Sequence, residues 1–160
     1  MYTVYTRNVM VRVVLDTNVL VNAEQGSGSF AKRILDLVRT HQLVAVTTHP
    51  VRRENELLTE RLVRDEQHKG DVREYLALAI DATPVQVAIE LEDAEDIKLL
   101  AAAVGGQAQF LITDDDHLLT VGEYQGVRIM RPREFWQWWQ ASQDDSGKNW
   151  ATWLSGTLGK

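Results

Sequence analysis

The stretch "VRVVLDTNVL", residues 11–20, sets both the first element of the fold and the first candidate for chemistry. Residues 11–15 are β-branched and apolar apart from Arg12, which predicts a buried strand. The run ends at Asp16, so the chain leaves that strand through a carboxylate. "FLITDDD", residues 110–116, repeats the arrangement with Asp114, Asp115 and Asp116 after a short apolar strand. Adjacent carboxylates repel one another, so both stretches pose the question of what offsets the repulsion.

Between these strands the pattern alternates. "AEQGSGSF" (23–30) reads as a turn or short loop, and Phe30, Ile34, Leu37 and Val38 predict a helix from Ser29 to about Thr40. "LVAVTT" (43–48) predicts a second strand. His49-Pro50 opens a helix with proline in its first turn, and Val51, Glu54, Leu57, Leu58, Arg61 and Leu62 continue along one face. "QHKGD" (67–71) breaks the pattern, with Asp71 placed to cap a helix carrying Tyr75, Leu76, Ala79 and Ile80. "TPVQVAI" (83–89) is extended or irregular. Asp93 begins a helix through Leu99, Leu100 and Ala103 that Gly105-Gly106 stops. "VRIM" (127–130) is a further strand, and "PREFWQWW" (132–139) starts a terminal helix. Strands alternating with helices predict an α/β fold with a central parallel sheet flanked by helices. The expected layout is one domain over residues 1–140 and a tail over 141–160, read as a flexible tail or a short helix packed on its own domain, with docking through Trp150, Trp153 and Leu154 as the other reading. Phe135, Trp136, Trp138 and Trp139 read as helix packing before a base-stacking platform.

The 160 residues are 44% hydrophobic and 25% charged, the make-up of an ordinary globular domain. No apolar run approaches the roughly 18 residues of a membrane span, and no basic segment leads into an apolar one. A cytoplasmic protein without membrane contact is expected. The absence of cysteine excludes disulfides, thiolate catalysis and thiolate zinc sites. A net charge of −6 argues against gripping nucleic acid by general basicity. A carboxylate cluster, however, lowers the pI while its bound cations reverse the local field. Basic residues gather at Arg52, Arg53, Arg61 and Arg64 and again at Arg128, Arg131 and Arg133; a solvated face is the ordinary role of each.

Open parallel sheets carry their sites outside the carboxyl ends of the strands. Asp16 and the Asp114–Asp116 triplet stand there, Glu54 follows Pro50, and "EDAED" supplies Glu92, Asp93, Glu95 and Asp96. Taken singly, each acid has a structural role as a cap or a partner of the helix dipole. Gathered in one pocket they need a hard divalent cation, which points to metal-assisted phosphodiester hydrolysis. A phosphatase with an aspartyl nucleophile would carry "D-x-D-x-T" after the first strand, and "DTNVL" lacks the second aspartate.

In combination, "VVLDTNVLVNA", "RRENELL", "EDAEDIKLLAAAVGGQAQFLITDDDHLL" and "VRIMRPREF" resemble the PIN-domain ribonucleases, nearest to the VapC-type toxins of toxin–antitoxin pairs. The resemblance covers residue 11 to about 139. It implies a PIN-like domain with Mg²⁺ (or Mn²⁺) as cofactor and RNA as substrate, cleaved endonucleolytically to leave a 5′-phosphate. It also implies an antitoxin protein as partner and a homodimer. By position, Asp16, Asp96 and Asp115 match the metal-holding acids, and Glu54 matches the acid on the helix after the second strand. Glu56 points to a different face. Asp93 is then the cap of its helix, Asn18 a brace for Asp16, and Thr113 the threonine whose hydroxyl faces the site.

The chain departs from that pattern at His117, where many relatives carry a further acid. A surface histidine at the start of a helix is its ordinary reading. As a ligand it would weaken a two-metal site or offer a nitrogen less suited to Mg²⁺ than to Mn²⁺. Two other functional readings stand beside the toxin: a non-toxin RNA-processing nuclease, and a catalytically weak toxin-like protein acting through an antitoxin complex.

Overall fold

The computed structural model describes residues 10–26 and 28–144. Its centre is a six-stranded sheet in the order β3-β2-β1-β4-β6-β5. The strands are β1 (Arg12–Leu15), β2 (Val44–Thr47), β3 (Ile80–Asp81), β4 (Phe110–Ile112), β5 (Glu123–Tyr124) and β6 (Val127–Met130). All neighbours pair in parallel except β5 and β6, which form an antiparallel edge. The helices are α1 (Thr17–Asn22), α2 (Phe30–Arg39), α3 (His49–Leu62), α4 (Glu66–Leu78), α5 (Ala94–Gly105), α6 (Asp116–Val121) and α7 (Pro132–Gln143). This is the expected α/β architecture, with an antiparallel edge strand that alternation of apolar runs did not announce. No helix among the described residues is long and apolar enough to cross a membrane.

Successive strand residues feed opposite layers, as a period of two requires. Val13, Leu15, Phe110 and Ile112 face a core completed by Ile34, Tyr75 and Phe135, while Val14, Val46 and Leu111 face Leu100, Ala103 and Leu118. Both faces of β1 and β4 are therefore covered, and their near-continuous apolar sequence follows from that. The aromatic C-terminal helix belongs to the first layer: Phe135 and Phe110 meet edge to face at 5.1 Å, and Trp139 is buried. Trp150, Trp153 and Leu154 lie outside the described residues, and α7 runs past residue 140 to Gln143.

Three local expectations need correction. Asp71 does not cap a helix; α4 begins at Glu66, capped by Asp65, whose side chain accepts from the His68 N–H at 3.3 Å. The stripe that buries this helix starts with a polar residue: His68 is buried and bonds the Leu20 carbonyl at 2.8 Å, followed by Val72, Tyr75 and Leu76. An apolar-only pattern misses that first turn. Ile80, placed on the same helix by its spacing, instead opens the short edge strand β3. On α3 the buried residues are Val51, Asn55 and Thr59, whereas Leu57 and Leu62 are exposed. The leucines that set its period wall clefts and do not fill the core.

Gly105-Gly106 does end α5, for a reason beyond stopping a helix. Neither needs a left-handed backbone, since the cap residue Gly106 has φ −87° and the left-handed residue is Gln107. A Cβ on Gly105 would collide with the Thr83 carbonyl, and one on Gly106 with the Val46 side chain. Close packing of α5 against β2 and the 83–85 segment requires glycine at both.

Candidate active site

Beyond β1 the sheet adds β2 and β3; beyond β4 it adds β6 and β5. The seam between β1 and β4 is thus the point where strand order reverses, and crevices form there at the carboxyl ends. Asp16 leaves β1 at that seam, its N–H donating to the Ile112 carbonyl at 3.0 Å. Its Oδ2 accepts from the Thr113 hydroxyl at 2.7 Å. The same hydroxyl oxygen accepts the Asp115 N–H at 3.0 Å. One fully buried threonine therefore sets the positions of two acids that follow neighbouring strands.

Helix starts complete the placement. Asp115 caps α6, with Oδ1 accepting from the His117 N–H at 2.8 Å. Asp93 caps α5 by accepting from the Glu95 N–H at 2.9 Å, and this brings Asp96 inward in the first turn. Glu54 comes from α3, which is pinned to α1 by a buried bond from the Thr17 hydroxyl to Asn55 Oδ1 at 2.7 Å. Asp16, Asn18, Glu54, Asp93, Glu95, Asp96 and Asp115 line one cleft of about 320 Å³, walled by Val21, Leu58 and Leu62. Glu56 lines a different cleft.

Gathering these groups disturbs their protonation. Asp96 is only 3% exposed, and burial, reinforced by Asp115, Asp93 and Asp16, pushes its pKa up to about 6. Burial also raises Asp16, against the opposing hydrogen bond from Thr113. Glu54 is pushed up to about 7 by burial and by Glu95 beside it. Glu95 is held low because it bonds to Glu54 and then to Lys98, whose Nζ lies at 2.7 Å. Glu54 and Glu95 therefore titrate as a coupled pair, with Lys98 favouring charge on Glu95.

Two buried acceptors in the cleft, Asp96 Oδ2 and Asn18 Oδ1, have no hydrogen-bond partner. Buried acceptors without donors are rare, and these oxygens lie among mutually repelling carboxylates. Asp96, Asp115 and His117 each offer a ligand atom, all within 4.8 Å of one another. Asp16 is outside this tight trio but shares the cleft. Oxygen donors on buried acids with unmet lone pairs fit a divalent cation. A PIN-domain family model matches residues 12–117, a span that contains every one of these acids. The chain belongs to the PIN-domain family. PIN domains are generally metal-dependent nucleases, in keeping with the donor set found here. No curated protein matches the chain.

Within this PIN domain the aspartate triplet divides. Asp115 turns into the cleft, while Asp116 turns out to Arg131 and the Asp114 carboxylate lies between Asn22 Nδ2 at 3.5 Å and Arg131 at 3.8 Å. That guanidinium contacts the Asp114 carbonyl at 3.4 Å and Asp116 Oδ1 at 2.5 Å. Asn18, expected as a brace for Asp16, lines the cleft, and its Oδ1 stands alone. Sequence reading missed three supports: the Thr17–Asn55 bond, the Glu54–Glu95 pair, and the Arg131 clasp. Thr17 and Asn55 each sit one residue after a named acid, which was the available signal; the Arg131 clasp spans |i−j| of 15 and 17 and had none.

The arginines also separate by role. Arg52 is structural, held by the Leu76 and Ala79 carbonyls and by Asp81 at 3.0 Å. Arg128 lies over the Phe110 ring at 5.8 Å. Arg53 and Arg61, with Lys98, line a wider cleft of about 790 Å³ that shares Glu54 and Glu95 with the acid site.

Proposed function

We propose that this PIN domain is a metal-dependent endoribonuclease and the toxin of a toxin–antitoxin pair, acting with Mg²⁺ or Mn²⁺. One observation carries the nuclease reading: acids from four separate elements line a single cleft at the sheet's reversal point, and one of them keeps a buried oxygen without a partner. Asp16, Asp96 and Asp115 would hold the ion, with Glu54 binding it directly or through water. A bound ion would lower the pKa of a water and offset charge building on the scissile phosphate. Thr113 keeps Asp16 and Asp115 in register. Arg53, Arg61 and Lys98 supply cations in the adjoining cleft, where an RNA backbone entering the acid site would need them.

The toxin role rests on the resemblance of the chain's motifs. Exposed Leu57 and Leu62 at the cleft walls give a protein inhibitor an apolar surface to cover. RNA incubated with the purified protein and Mg²⁺ or Mn²⁺ should be cut, and Asp16→Asn or Asp115→Asn should stop the cutting. Cleavage by both variants at the wild-type rate would remove the site. Growth arrest on induction, relieved by the product of a small adjacent reading frame, tests the toxin role; cleavage without arrest favours an RNA-processing nuclease.

A further inference from the structure

We infer that His117 is itself a ligand in this site, so that the chain holds a first-row transition cation such as Mn²⁺ through two carboxylates and an imidazole, in preference to Mg²⁺. The inference rests on reading the acid cleft as a metal site, and it concerns which ion that site selects.

Geometry supplies the first argument. A ring nitrogen of His117 and one oxygen each of Asp96 and Asp115 lie within 4.8 Å of one another, close enough to surround one ion with small side-chain adjustments. Asp115 is already committed on one side: its Oδ1 accepts the His117 backbone N–H at 2.8 Å, which orients the carboxylate at the start of α6 and leaves Oδ2 for another partner.

The second argument is independent of that grouping. Asp96 is 3% exposed, and its Oδ2 has no hydrogen-bond donor. Asp96 also lines two clefts, one with Asp16 and Glu54, the other of about 280 Å³ with His117, Glu92 and Thr120. Asp96 thus borders both the acid cleft and the cleft that His117 lines, with its Oδ2 left without a donor.

Ligand chemistry then selects the ion. Mg²⁺ favours oxygen in near-ideal octahedra and gives up its waters reluctantly, so an imidazole gains it little. First-row transition ions accept mixed nitrogen and oxygen ligands, and their affinity for such sites rises along the Irving–Williams order. Replacing the histidine by an acid restores an all-oxygen set.

The test uses the full chain without RNA, titrated with Mn²⁺ and separately with Mg²⁺ by calorimetry. Pulsed electron paramagnetic resonance of the Mn²⁺ complex reads directly bound nitrogen. Wild type should show nitrogen coupling and bind Mn²⁺ much more tightly than Mg²⁺. His117→Ala should lose the coupling and weaken Mn²⁺ by roughly 10-fold or more, with little change for Mg²⁺. His117→Asp should narrow the preference between the ions. An all-oxygen Mn²⁺ spectrum in wild type, or unchanged Mn²⁺ affinity in His117→Ala, overturns the assignment even if RNA is cleaved. Nitrogen-bound Mn²⁺ in a protein that cleaves no RNA leaves the assignment standing and removes the nuclease.

Discussion

Two charge clusters in this protein use similar residues and reach opposite states. Between α2 and α4, Lys32 meets Asp71 at 2.7 Å, and Arg39 meets Asp36, Asp71 and Glu74 at 2.9, 3.1 and 2.9 Å. Each charge there is answered by the chain itself. At the β1–β4 seam, Asp16, Asp96 and Asp115 make no ion pair among the described residues, and two of them have raised pKa values. The first cluster is balanced as folded; the second has no cationic side chain of the described residues paired with it. Imbalance in a buried, well-positioned cluster is what separates a site from a surface network.

The largest effect should come from the unbalanced cluster. Asp115→Asn and Asp16→Asn should each lower RNA cleavage by on the order of 10²-fold or more, the scale for losing a group that stabilises transition-state charge. Circular dichroism of both variants should remain that of wild type. Asp114→Asn, facing Arg131, should be mild. If Asp114 proves the more sensitive, the register of the site is wrong by one residue and the comparison fails at its centre.

The next effect concerns protons. In the metal-free fold Asp96 and Asp16 have pKa values above those of the unfolded chain. Between the unfolded and folded values the native state binds more protons, so this contribution to stability is present at low pH and lost as pH rises through the folded value. For Asp96 the window runs from 3.8 to about 6. Thermal melts without metal should show Asp96→Asn gaining on wild type as pH rises across that window, with the gap levelling above it. Saturating Mn²⁺ should reverse the order, because the ion stabilises the charged acid. A pH-independent gap would mean that neither burial nor the neighbouring acids raise Asp96.

The balanced cluster should respond in stability alone. Asp71 is largely buried and holds both Lys32 and Arg39. Asp71→Asn should cost about 1–2 kcal/mol in denaturant unfolding, more than an exposed ion pair and less than a fully buried one. Cleavage and metal affinity should be unchanged; a loss of either would tie α4 to the site.

How much of this could be read from the chain follows the same division. The buried strands and the acids that end them were legible because short continuous apolar runs and strand-terminal aspartates are local signals. Glu54 was distinguished from Glu56 by helical spacing, and the two line different clefts. The start of α4 was missed because its buried stripe opens with His68, whose place in the core depends on the distant Leu20 carbonyl. The exposure of Leu57 and Leu62 was hidden because their spacing looks the same whether a helix faces core or cleft. Pairing across the fold, not composition along it, decides such cases.

Arg131 tests the boundary between the two kinds of cluster and should give the smallest effect. It bridges Asp114 and Asp116, whose side chains are 37% and 83% exposed, and it is itself 45% exposed. Water screens such a clasp, so Arg131→Gln should change stability by about 0–1 kcal/mol. Its consequence for chemistry should be positional: the clasp faces the two outer aspartates away from Asp115 and leaves that acid between Thr113 and His117. Cleavage should therefore fall only a few-fold, roughly the cost of slightly loosening a positioned group. Metal affinity measured on the same variant should fall in parallel. A large loss of cleavage with metal affinity intact would place Arg131 on the substrate and make the outer aspartates its holders.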